Sequence, residues 1–160
     1  VGFERSPEVA FMGKVSIACP QATVPVDRKQ MREAVRVVLE GEGVADAEIS
    51  LAFVDDATIH RLNKQFLQHD EPTDVLSFPL SEPKSKKLCG ELVIGAEVAL
   101  AQATERGHDV QAELTLYVIH GLLHLCGHDD HDDDEARAMR ASERRYLAAL
   151  GLPDISPRVE

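Results

Sequence analysis

Residues 120–131 read His-Gly-Leu-Leu-His-Leu-Cys-Gly-His-Asp-Asp-His, so four of the seven histidines fall in one short stretch. His120 and His124 are four residues apart in an otherwise apolar segment. On a helix this spacing puts both imidazoles on one face, one turn apart. Burying two imidazoles without partners is costly, and a divalent cation is the partner that two such rings commonly share. Gly127 stands where the helix needs a residue able to turn left-handed. Beyond that turn Asp130 and His131 are both placed to swing back toward the pair. Two imidazoles and a third ligand, with a fourth position left for water, is how catalytic zinc is held. The segment therefore predicts a metal-dependent hydrolase holding one zinc ion, or another first-row divalent cation, on His120, His124 and either Asp130 or His131.

The spacing also matches zinc proteases in which a glycine turn presents the third ligand. Those enzymes carry a glutamate directly after the first histidine as general base. Here that position is Gly121, which cannot take a proton, so peptidase chemistry is disfavoured. Cys126 reads as a buried structural thiol rather than a ligand, and the acidic residues around 132–134 read as a helix start favoured by the dipole.

The elements that must position these residues follow from periodicity and punctuation. A strand is expected over Val15–Ala18. A helix capped by Asp27 carries Met31, Ala34, Val35, Val38 and Leu39 inward, and Gly41 and Gly43 end it. Glu48–Val54 alternates like a strand, and Asp55 caps a second helix running to about Phe66. Two more strands are expected at Thr73–Pro79 and Gly90–Gly95, with a polar Ser81–Lys87 loop between them. Glu97–Arg106 is a short helix, Val110–Cys126 an apolar and centrally buried one, and a last helix runs from Asp132 to Gly151. The order predicts an α+β fold with α/β character: a single domain, a small four-stranded mixed sheet and about five helices, with the metal site on the central buried helix. Residues 14–153 are read as that domain, 1–13 as a flexible N-terminus and 154–160 as a C-terminal tail.

The chain of 160 residues is 44% apolar and 28% charged, the balance of an ordinary globular domain. No run is long enough to span a bilayer, so no membrane is expected. Val1–Gly13 lacks the basic start and apolar stretch of a signal peptide. Three scattered cysteines, Cys19, Cys89 and Cys126, argue for a reducing cytoplasm rather than a disulfide framework. The net charge of −11 weighs against nucleic acid, whose binding rests on neutralising phosphate, yet local potential matters more than the sum. Arg28, Lys29, Arg32 and Arg36 along the first helix, with Lys64 on the second, are the candidates for a basic face. RNA bound there would lose affinity steeply with salt, and Arg32→Glu would weaken it.

Three blocks carry a resemblance. His120–Asp130 is similar to the signature His-Gly-x-Leu-His-Leu-x-Gly-Tyr-Asp-His of the YbeY family of bacterial endoribonucleases. Pro72–Pro79 reproduces that family's Pro-Thr-Asp-Val-Leu-Ser-Phe-Pro, and Gly90–Ile94 resembles its Gly-Asp-Ile-x-Ile. The resemblance covers most of residues 48–150. It implies a single-strand-specific endoribonuclease of the cytoplasm, acting on ribosomal RNA with the small ribosomal subunit as partner. The implied roles are small-subunit 3′-end maturation and ribosome quality control, with no DNA substrate.

Departures from the family pattern are informative. The family's third histidine falls on Asp130, and the spacing on to Met139 favours Asp130 over His131. The family's tyrosine is His128 here. Glu91 and His128 are candidate proton-transfer groups on residue chemistry alone, and Asp74 and Ser77 candidates for shaping the pocket. An arginine that many members carry after an aromatic residue is replaced by Leu67 after Phe66. Lys64 or His69 would have to supply the missing charge.

Overall fold

The computed structural model describes residues 11–67, 73–82 and 84–157. In chain order the elements are β1 (Lys14–Ala18), α1 (Arg28–Gly41), β2 (Ala47–Val54), α2 (Asp56–Leu67), β3 (Val75–Pro79), β4 (Leu88–Gly95), α3 (Ala96–Arg106), α4 (Val110–Leu125) and α5 (Asp133–Ala149). The four strands form one mixed sheet in the order β1-β2-β4-β3. β1, β2 and β4 run parallel, and β3 returns antiparallel on β4, with Leu76 opposite Val93 and Phe78 opposite Glu91.

Local signals set the element ends. Asp27, Asp109 and Asp132 each accept a backbone N–H from the first turn of α1, α4 and α5, and the Asp55 carboxylate takes Thr58 N–H at 2.8 Å to open α2. These caps satisfy donors that a helix start leaves orphaned.

Both sheet faces are covered, so the strands carry two apolar sets of opposite parity. On one face Ile49, Leu51 and Phe53 of β2, with Leu92 and Ile94 of β4, join the buried residues of α1, α3, α4 and α5 in the main core. On the other, Leu76 and Val93 are covered by Ile59 and Leu62 of α2. Helix α1 buries Met31, Ala34, Val35, Val38 and Leu39 completely, and each larger side chain contributes roughly 1.5–3 kcal/mol. Helix α4 is buried from Ala112 to Ile119 without a break, as its all-round hydrophobicity requires.

The packed unit reaches past both ends of the 14–153 span. Phe11 packs on the main core and Met12 N–H bonds Ala45 C=O at 2.8 Å. Ile155 and Ser156 are buried, and Arg106 donates to the Ile155 carbonyl at 2.5 Å. The rest of the expected flexible N-terminus lies outside the described residues, as does the end of the expected tail. No helix among the described residues is long and apolar enough to cross a membrane.

Candidate metal centre

Helix α4 is pressed onto the sheet at Gly121. A Cβ there would lie 2.8 Å from Leu92 and 3.1 Å from Val75 side-chain carbons. The position a zinc protease gives to its glutamate therefore faces packed sheet side chains. Ser77 of β3 donates to the Gly121 carbonyl at 3.3 Å, which ties the sheet to the middle of the histidine turn.

His120 and His124 project from the same face of α4, with Nε2 atoms 3.0 Å apart and ring centroids 4.6 Å apart. Helix α4 ends one turn later. Gly127 adopts φ +97°, a conformation costly for any residue with a Cβ, and the turn brings Asp130 back. Its carboxylate oxygens lie 3.7 Å from His120 Nε2 and 3.8 Å from His124 Nε2. The three ligand atoms fall within 4.8 Å of one another. Tetrahedral ligands about 2.0–2.2 Å from a shared cation sit about 3.3–3.6 Å apart, so this donor set fits one divalent ion. Asp130 belongs to the group and His131 does not. His131 instead lines, with both histidines, a cavity of about 420 Å³ walled by Leu67, Val75, Pro79 and Leu125.

Behind His120 stands a residue that sequence reasoning missed. Glu143 of α5 is fully buried and meets His120 Nδ1 at 2.6 Å. Arg140 donates to both its oxygens at 2.7 and 2.9 Å, and Ser156 Oγ donates at 2.7 Å. Burial pushes the Glu143 carboxyl up, but these hydrogen bonds outweigh it and hold the group below the usual carboxylate range. A carboxylate on one ring nitrogen fixes the tautomer that leaves the other free to ligate. Burial and neighbouring His120 hold His124 below the ordinary imidazole value, which favours the neutral ring that ligation needs.

Comparison with known proteins follows the same residues. The family model described as Endoribonuclease YbeY matches residues 16–151. The chain belongs to the YbeY family. Among its relatives, Endoribonuclease YbeY of Carboxydothermus hydrogenoformans is 45% identical over 120 residues, 75% of this chain and 83% of the relative. That of Moorella thermoacetica is 40% identical over 151 residues, 86% and 97%. The solution structure of TM1509 from Thermotoga maritima superposes with a TM-score of 0.61 at 28% identity, covering 85% of this chain and 88% of that one.

Other residues singled out in this YbeY-family chain are not gathered at the metal group. Glu91 stands apart from the metal group. It shares β4's parity with Val93 and sits opposite Phe78, on the sheet face covered by α2, whereas Gly90 and Leu92 face Leu125 and Gly121 of α4. Strand alternation puts Glu91 on the wrong side of the sheet for proton transfer at His120. His128 meets Glu42, the residue closing α1, through Nε2 at 2.5 Å, and Glu42 also accepts from Tyr146 Oη and Arg145. This network straps the turn to α1 and α5. Asp74 takes Val75 N–H at 2.7 Å and lines a second cavity with His120. Burial pushes the Cys126 thiol up to about 12, a neutral core thiol rather than a thiolate ligand; Cys19 and Cys89 are also unpaired.

The basic face of α1 is placed elsewhere. Arg28 and Arg32 donate to the Ile17 and Val15 carbonyls of edge strand β1, and Arg36 is paired with Glu33 and Glu40. β1 and β3 are opposite edges of the sheet, about 14 Å apart at the usual strand spacing, and the histidines lie over β3. Lys64 is exposed in the last turn of α2, one turn before Leu67. His69, the other substitute for the family arginine, lies outside the described residues.

Proposed function

We propose that this protein is a metal-dependent endoribonuclease that cleaves single-stranded RNA in the cytoplasm. Its role is small-subunit ribosomal RNA 3′-end maturation and ribosome quality control, with the small subunit as partner. One observation carries the reading: two imidazole nitrogens and a carboxylate converge within 4.8 Å in a chain whose relatives are named endoribonucleases. Zinc is the ion assigned, because two imidazoles and one carboxylate leave the fourth position open that catalytic zinc keeps. The unpaired cysteines fit a reducing compartment.

A bound divalent ion supplies Lewis-acid polarisation of a phosphoryl oxygen and lowers the pKa of water. The chain's own groups do the rest. Glu143 orients His120 through Nδ1, so that Nε2 is presented. Burial and His120 favour the neutral ring of His124, and Asp130 adds the one negative charge of the ligand set. Gly121 offers no base, which separates the site from peptidases. His128 is assigned to anchoring the turn that presents Asp130, through Glu42.

Metal analysis paired with cleavage assays tests this. The wild type should hold stoichiometric zinc and cut single-stranded RNA while sparing duplexes. His124→Ala should lose the ion and reduce cleavage by more than ~100-fold, beyond the loss expected for an outer partner of a ligand. Degradation of casein with RNA untouched would instead indicate a peptidase. Stoichiometric metal with neither substrate cut would make the protein a binding module.

A further inference from the structure

His120 stands between two cavities of different chemistry. One is the apolar cavity described above. The other, of about 350 Å³, lies between α3, α4 and α5 and includes Asp74, Gln102, Arg106, Glu113 and Arg140 in its lining. Its wall on α3 is a single stripe, Val98, Gln102 and Arg106, at helical spacing. The volume is at the lower end for small-ligand pockets, the scale of one nucleoside rather than a duplex.

Charge decides what this second cavity suits. Two arginines face two carboxylates, so the lining is neutral overall. Each guanidinium is already engaged: Arg106 with Glu113 at 3.6 Å and the Ile155 carbonyl, Arg140 with Glu143. No uncompensated positive charge remains to draw a phosphate. Gln102 is exposed, and its amide offers a donor and an acceptor side by side. That is the complement of a nucleobase edge, the feature by which single-stranded RNA is read. The cavity across His120 offers aliphatic walls at Leu67, Val75, Pro79 and Leu125, with His124 and His131 beside them.

We propose that the cavity bounded by Gln102, Arg106 and Arg140 is a base-reading subsite for the nucleotide next to the cleaved bond, with Gln102 as its specificity-determining residue. The cavity across His120, which His124 and His131 also line, takes the nucleotide on the other side. This rests on the ribonuclease reading above, in which an ion on His120, His124 and Asp130 would hold the scissile phosphate beside the cavity that His120 shares with Gln102.

The test has two arms. Isotope-labelled wild-type protein is titrated with adenosine, guanosine, cytidine and uridine while the Gln102 side-chain amide is followed by NMR. At least one nucleoside should shift that amide saturably, about tenfold more tightly than the weakest of the four, on the scale of hydrogen-bond discrimination. Inorganic phosphate should leave it in place. The second arm measures kcat/KM on short single-stranded RNAs varied on each side of the cut. A preference of about tenfold on one side only should fall below about threefold in Gln102→Leu, and its base order should change in Gln102→Glu. An unmoved amide, an equal shift by phosphate alone, or a preference that survives Gln102→Leu overturns the proposal. Absence of all cleavage with nucleoside binding intact would overturn the ribonuclease reading and leave the pocket standing.

Discussion

Two buried carboxylates in this protein have nearly the same partners and do different things. Glu113, in the first turn of α4, meets His108 Nε2 and lies 3.6 Å from Arg106. Glu143, in α5, meets His120 Nδ1 and is doubly bonded by Arg140. Each is a carboxylate between a histidine and an arginine, and each is nearly or wholly removed from solvent. The difference is which ring nitrogen is used. Glu113 takes Nε2, the distal atom of His108, where α3 meets α4 and away from the metal group. Glu143 takes Nδ1, and His120 Nε2 is left facing His124 and Asp130. A histidine–carboxylate pair becomes part of a metal site only when the second nitrogen has somewhere to go.

The most damaging way to break this comparison is to remove each carboxylate in turn. Glu143→Ala should lower zinc affinity about 10–100-fold, as loss of a ligand's outer partner does, and destabilise the fold by about 3–5 kcal/mol by stranding Arg140. Glu113→Ala should cost comparable stability while leaving zinc affinity within about threefold, because His108 ligates nothing. Isothermal titration with zinc and urea unfolding check both, and equal loss of zinc in the two variants would erase the distinction. Next in size is Gly121→Ala. The added methyl meets Leu92 and Val75, so overpacking should cost about 1–3 kcal/mol; an unchanged urea midpoint would show that α4 can lift from the sheet. The smallest effect is expected far from both carboxylates. Arg32→Glu should change affinity for single-stranded RNA by less than about threefold, since Arg32 is engaged at β1 on the opposite sheet edge from β3, and a large rise in Kd with a flattened salt slope would restore α1 as an RNA face.

The contrast also shows what the amino-acid order reveals. His120, His124, the Gly127 turn and Asp130 were legible because helical spacing and a left-handed glycine are local facts. So were the caps at Asp27 and Asp55 and the acidic start of the last helix. Glu143 was hidden because one glutamate on a charged helix reads as surface. Its signal is a vacancy in the inward stripe: Met139, Tyr146 and Leu147 leave position 143 on the buried face, where a carboxylate needs partners. Glu91 misled because β4 is apolar on both faces, so parity alone does not say which set meets α4. For the arginines of α1, periodicity fixes a helix face, while the sheet order decides that this face meets β1.

That meeting has a consequence for the protein in a crowded cell. An outermost strand displays unused backbone acceptors, a template on which a foreign strand can build. Here the guanidiniums of Arg28 and Arg32 occupy the Ile17 and Val15 carbonyls, and their charge repels a second copy approaching the same rim. Arg28 and Arg32 thereby close acceptors that an open sheet edge would otherwise offer.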